Sequence, residues 1–202
     1  MPFLNDHGRR GSGPTRALFV SRTSALGRTN RSGRRAIPST SVEHRIRPAT
    51  AADARSIAVL NGFVQALHVE HRPDRFRPPD ADAFAPVVEG WLGSPNRRIW
   101  LADDTNDTTV GYVMGVRIDR PPTALVAGAT IVELDQVVVD PVSRGRGIAT
   151  ALCGEVFQWA AELGADRIEL STWAFNESAQ SLFVSLGFTP DYLRLSRSTH
   201  NA

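Results

Sequence analysis

Lysine is absent from this 202-residue chain, so all 23 basic residues are arginines. That bias follows genome composition, not chemistry. Cysteine occurs once, at Cys153, which excludes an internal disulfide framework and any cysteine-based zinc site. No apolar run approaches the roughly 18 residues that a membrane helix needs. The short apolar segment at residues 17–20 is too brief for a signal-peptide core. The expectation is therefore a soluble, cytoplasmic protein with no membrane partner. What is present suffices for one domain, because 42% of the residues are hydrophobic and the length allows a substantial core.

The net charge of +2 hides an asymmetry. Residues 1–44 carry eight arginines against Asp6 and Glu43, while the remainder carries fifteen arginines against nineteen acids. The folded part is thus mildly acidic, which argues against a basic nucleic-acid surface on it. Residues 1–43 are rich in Arg, Ser and Gly without sustained periodicity, and are read as a disordered tail ahead of a single domain at 44–202. A tether to nucleic acid or another acidic surface, and an organelle transit peptide, remain alternative readings of that tail.

Periodicity in the folded part gives the order β-α-α-β-β-β-α-β-α-β. Thr50 and Asp53 resemble a capping box, and Ile57, Leu60, Val64 and Leu67 then recur at helical spacing. A second helix fits Ala81 to Leu92. Residues 97–102 and 108–118 form paired strands across an acidic turn, and residues 129–140 make the most strand-like stretch. A helix carries Ile148, Leu152, Val156, Trp159 and Leu163 on one face. Residues 166–173 read as a strand, 176–188 as a short helix with its flank, and 188–196 as a last strand.

Between the central strand and the third helix runs DPVSRGRGIATAL, residues 140–152. A helix N-terminus leaves N–H groups unpaired and partly positive. Gly145 and Gly147 let an anion approach the backbone, and Arg144 and Arg146 add full charges. The loop has neither the Walker spacing nor a complete G-x-G-x-x-G, so it reads as a different kind of phosphate or pyrophosphate site.

In this context the sequence resembles the GCN5-related N-acetyltransferase superfamily. The stretch VVVDPVSRGRGIATAL matches that family's [RQ]-x-x-G-x-[GA] signature through Arg144, Gly147 and Ala149. NESAQSLFVSLGF supplies its downstream pattern through Asn176, Ala179, Phe183, Gly187 and Phe188. The resemblance spans roughly His44 to Arg197. It implies an α/β (α+β) fold with a mixed six- to seven-stranded sheet whose central strands splay, flanked by helices. It also implies acetyl-CoA as cosubstrate and an amine as acceptor. The pyrophosphate would meet the N–H groups of Gly145 to Thr150 beside Arg144 and Arg146. The pantetheine arm would pair with the backbone of Val137 and Val139, with Asn176 and Phe183 as further contacts. The Val137 N–H would polarise the thioester carbonyl.

Amine attack on a thioester requires a neutral amine, so a general base is expected. Glu133 and Asp135 alternate with Leu134, which directs both to one face, and strict alternation would continue that face through Val137 and Val139. Asp135 stands where some members of the family carry a base glutamate. Many relatives place a tyrosine acid where this chain has Phe183, and a thiolate leaves tolerably without protonation. The same departure suits an alternative reading, a non-catalytic acyl-CoA-binding or sensing module.

Cys153 is expected to be a small buried residue, and His68 with His71 lacks the further ligands a metal would need. His71, Arg75 and Phe76 border the acceptor pocket by analogy. Asp103, Asp104 and Asp107 would favour a cationic acceptor if their loop folded toward it. Antibiotic, polyamine, amino acid and protein N-terminus all stay open as acceptors. Homodimerisation is common in the family, and the sequence identifies no interface.

Overall fold

In the computed structural model residues 44–197 and 199 are described; the expected tail at 1–43 lies outside them. Strand β1 (Arg45–Pro48) leads through a single 3-10 turn into α1 (Ala54–His71), followed by α2 (Ala81–Leu92). Then come β2 (Arg97–Asp103), β3 (Thr109–Arg120), β4 (Ala129–Val139), α3 (Ile148–Glu162), β5 (Arg167–Glu169) and α4 (Glu177–Ser185). Asp53 reaches back to the Thr50 N–H at 2.7 Å, as a capping box requires, and also takes the Thr50 hydroxyl at 2.8 Å.

The strands form one mixed sheet in the order β1-β2-β3-β4-β5, antiparallel except for the parallel pair β4–β5, which α3 connects. Among the described residues the sheet thus has five strands rather than six or seven. The stretch expected to be a strand at 166–173 pairs only over Arg167–Glu169. The expected last strand at 188–196 does not form, and Tyr192, Leu193 and Leu195 are 75%, 81% and 83% exposed. Alternating apolar residues make a strand only where they pair with a neighbouring edge, and this segment pairs with none.

Apolar side chains divide between the two faces of the sheet. On one, Val132, Leu134 and Val139 pack with Leu152, Cys153, Val156 and Trp159 of α3 and Phe183 of α4. On the other, Tyr112, Met114, Val116 and Val138 pack beneath Ile57 and Leu60 of α1 and Val88 of α2.

The two faces exchange residues at one point on β4. Leu134 lies opposite Gly115 and Gln136 opposite Met114, so Asp135 is an extra residue with no partner on β3. This is a β-bulge. Before it, even-numbered residues face α3; after it, Val137 and Val139 do. Gly115 is needed on the opposing strand, because a Cβ there would stand 2.9 Å from the Trp159 ring.

Candidate functional site

The loop after β4 has the form that an anion site requires. Gly145 and Gly147 adopt φ of +74° and +79°, in the left-handed region that favours glycine. Gly147 is the N-cap of α3 and brings no capping side chain, and the first turn holds no acid. The N–H groups of Ile148, Ala149 and Thr150 therefore have no helical acceptor. An added Cβ at either glycine would meet nothing within 4 Å, so the approach is open. Arg144 donates from Nε to the Val139 carbonyl at 3.0 Å, which holds its guanidinium beside the end of β4. Arg146 is exposed next to it. Donors, positive charge and open space coincide, and this set fits a pyrophosphate.

Beside the loop, β4 offers a free edge. Its pairing with β5 stops at Glu133, so from Leu134 to Val139 no strand among the described residues occupies that side. The backbone of Val137 and Val139 lies along this splay. Asn176 caps α4, its Oδ1 accepting from the Ala179 N–H at 3.2 Å and the Ser178 hydroxyl at 3.1 Å. Phe183 is only 7% exposed and meets Phe188 edge-on at 5.9 Å, so most of its ring serves the α3-side core.

The two acids occupy the opposite face. Glu133 lies across from Val116, whose side chain belongs to the core beneath α1 and α2. Asp135 acts electrostatically on both Glu133 and Tyr112, which places it on that side too. The expectation that their face continues through Val137 and Val139 is corrected: the bulge sends those valines to the α3 side. Glu133 and Asp135 both have pKa values above the usual carboxylate range. Burial is the main cause at Glu133, with the charges of Asp135 and Glu169 adding to it. At Asp135 burial again raises the value, opposed by the charge of Arg97 and by the neighbouring Gln136 side chain. No arginine stands within ion-pair distance of either acid among the described residues. By surface area Asp135 is nonetheless an exposed residue and Glu133 a half-buried one, so burial of the Asp135 carboxyl is partial.

Three polar side chains absent from the sequence-level expectations meet behind Asp135. The hydroxyl of Tyr112, a fully buried residue, lies 2.5 Å from Oε1 of Gln136, and Asn61 Nδ2 donates to both, at 2.9 Å and 3.1 Å. The only available signals were a lone tyrosine in an apolar strand and a lone glutamine before three valines.

His71, Arg75 and Phe76 are brought together, in an aromatic cluster with two residues that sequence reasoning missed, Trp173 and Phe175. His71 stacks on Phe175 at 4.4 Å, His68 on Phe76 at 4.7 Å, and Phe76 meets Trp173 edge-on at 5.5 Å. The guanidinium of Arg75 lies 5.5 Å from the Trp173 ring centre. Burial holds the pKa of His68 below its ordinary value. The cluster thus ties the end of α1 to the chain following β5. Along α1 it lies two turns beyond Asn61, about 10 Å at the helical rise.

The acids at the β2–β3 turn do not join this site. Asp103 is held by Arg45, Arg47 and Thr109, Asp107 pairs with Arg45, and Asp104 accepts backbone N–H groups of its own turn. Cys153 is fully buried, and its thiol is pushed up to about 11 by burial. No helix among the described residues is long and apolar enough to cross a membrane.

Comparison with known proteins gives one consistent picture. The model of the acetyltransferase (GNAT) family matches residues 64–188. N-acetyltransferase 8F1 of Rattus norvegicus is 32% identical over 105 residues, 52% of this chain and 45% of that protein. The chain therefore spans about half the length of the curated relatives it matches. A tetramutant of the BH1408 protein of Bacillus halodurans superposes with a TM-score of 0.73 at 23% identity, covering 76% of this chain and 99% of that one. Aminoglycoside N-acetyltransferase AAC(6')-Iy in complex with CoA does so at 0.62 and 18%, covering 82% and 100%. At such identities these structures establish the fold.

Proposed function

The chain belongs to the acetyltransferase (GNAT) family, and from that membership we propose that it moves an acetyl group from acetyl-CoA to a primary amine by direct transfer in a ternary complex. The observation that carries this reading is the coincidence on one strand of two features. At its end stands an anion-ready loop, and at its bulge an uncompensated carboxylate. A neighbour of the same fold was solved with CoA, which supports the choice of cosubstrate.

When bound, acetyl-CoA supplies the activated acyl group. The N–H groups from Gly145 to Thr150, with Arg144 and Arg146, hold the diphosphate. The open edge of β4 at Val137 and Val139 receives the arm as an added strand. Asn176 turns its amide to the same channel, and the Val137 N–H polarises the carbonyl.

Asp135 takes the proton from the ammonium of the acceptor, directly or through one water. Its raised pKa makes it a better proton acceptor than an ordinary aspartate, and its solvent contact lets the proton leave. Glu133 adds negative charge that attracts a cationic amine. His71, Arg75 and Phe76 border the acceptor. With Phe183 in the position of a tyrosine acid, the thiolate departs unprotonated. Cytoplasmic location belongs to the same proposal.

Calorimetric titration of acetyl-CoA into the wild type and Gly147→Glu tests the reading. Micromolar binding is expected in the wild type and should vanish in the variant, whose carboxylate would oppose the diphosphate. Absence of binding to the wild type would overturn the proposal. Binding without turnover across an amine panel would favour the non-catalytic module.

A further inference from the structure

Seven arginines stand on the five strands, and six of them lie within ion-pair distance of a carboxylate. The exception is Arg97, the first residue of β2. Of the five strand carboxylates, Asp103, Asp119 and Glu169 are paired, whereas Glu133 and Asp135 are not. Among the described residues, the sheet therefore leaves one guanidinium and two carboxylates unpaired, on strands that only β3 separates.

Strand register brings these charges to one face. Arg97 lies opposite Val116, and Val116 lies opposite Glu133. Directly opposed residues share a side, so Arg97 and Glu133 flank Val116 in one row, about 10 Å apart at Cα. The Arg97 side chain reaches over β3 toward the bulge. Its Nη1 stands 3.7 Å from the Met114 sulfur, and Met114 is opposite Gln136, the residue after Asp135. The guanidinium also sits over the Trp91 ring, 5.7 Å from its centre, which fixes its plane.

A guanidinium has five N–H donors, and a thioether is a weak acceptor for one of them. No buried side-chain nitrogen or oxygen among the described residues lacks a partner, so the other N–H groups of Arg97 face solvent. A plain cation would be drawn to the acids and repelled by Arg97. A plain anion would meet the reverse. A molecule that carries both charges complements the whole row.

We propose that Arg97 selects the acceptor, binding the carboxylate of an amino acid whose ammonium faces Glu133 and Asp135. The substrate class is thus a zwitterionic amine and not a polycation. This deepens the acetyl-transfer reading and rests on it for what happens to the bound amine. The fork of Arg97 suits a carboxylate, which can take two parallel N–H donors. Its charge is also felt at both acids, where it opposes the rise that burial produces.

Ligand-observed NMR titrations of the full chain test this, in excess CoA so that no acetyl group is transferred. Three amino acids are compared with the amines left by removing their carboxylates: phenylalanine with 2-phenylethylamine, leucine with isopentylamine, ornithine with putrescine. At least one amino acid is expected to bind about 10-fold or more tightly than its amine, as hydrogen bonds between charged groups imply. Arg97→Gln should weaken that amino acid by a similar factor. It should leave the plain amine bound as well or better, because a positive charge near its ammonium is removed. Arg97→Lys keeps the charge without the fork and should retain part of the preference.

No tighter binding of the amino acid in any pair would overturn the proposal. So would an Arg97→Gln variant that weakens both ligands alike, the result of a merely structural role. Failure of the parent reading looks different. An amino acid that binds through Arg97 but is not acetylated when acetyl-CoA replaces CoA would keep this assignment and sink the transfer reading. Acetylation of amines without regard to a carboxylate would do the opposite.

Discussion

Two groups of carboxylates on this sheet are treated in opposite ways. At β1 and β2, Asp103 is 1% exposed and receives Arg47 Nε at 2.6 Å, Arg45 at 3.2 Å and the Thr109 hydroxyl at 2.9 Å. Arg47 also grips Asp53 with both terminal nitrogens, at 2.9 Å and 2.8 Å. Its guanidinium, helped by Thr50, holds the Asp53 carboxyl down at about 2, and Asp103 is likewise lowered despite its burial. On β4, Glu133 and Asp135 have no arginine in contact and both are raised. The first group ties β1 and the start of α1 to β2. The second leaves charge unspent, which is a cost to the fold and, on the function proposed above, a resource for proton transfer. The contrast teaches that burial alone does not set the sign; pairing does.

The largest effect should come from removing the unspent charge. Asp135→Asn is expected to lower kcat by about 10²–10⁴-fold at neutral pH, the usual worth of a general base. Steady-state kinetics on the best amine from a screen checks this, and an unchanged kcat would erase the functional half of the comparison. Next comes the paired group. Asp103→Ala removes the buried acceptor shared by Arg45, Arg47 and Thr109, while Arg45 keeps Asp107 and Arg47 keeps Asp53. It should cost about 2 kcal/mol in urea unfolding, with little effect on kcat beyond that loss.

The smallest effect is the most discriminating, because it depends on sign. Asp53 and Asp103 have depressed values, so their stabilisation is present above about pH 4 and is lost as the pH falls through their folded values, which for Asp53 is about 2. Asp135 has a raised value, so its protonated form favours the fold and that advantage is lost as the pH rises through its folded pKa. Thermal melts should therefore show Asp135→Asn no less stable than wild type at pH 7, with the difference closing in acid. Asp103→Asn should behave in the reverse manner. Parallel curves for the two variants would show that the groups do not differ as described.

Much of this was legible in the chain. The spacing of Ile148, Leu152, Val156, Trp159 and Leu163 placed α3; the first four are buried, and Leu163 is its half-buried C-cap. Gly145 and Gly147, with Arg144 and Arg146 beside them, pointed to an anion loop, and both glycines take the left-handed conformation. The bounds of α2 agreed at both ends. The missing strand at 188–196 was not legible, because its alternation is local and its partner edge is not. Nor was the aromatic cluster, since Trp173 lies about a hundred residues from Phe76 in sequence and beside it in space. The β2–β3 acids looked like a lure for a cationic acceptor until Arg45 and Arg47 were found against them.

By itself, then, the sequence determined which segments become helices and which loop turns on two left-handed glycines beside arginines. Both are decided by short-range periodicity and by glycine and arginine at fixed offsets. The tertiary structure alone decided where Asp135 points. A period of two allows only alternation, whereas one extra residue held between β3 and β4 exchanges the faces of everything after it. Such an exchange depends on the register between strands, which no single strand carries in its own sequence.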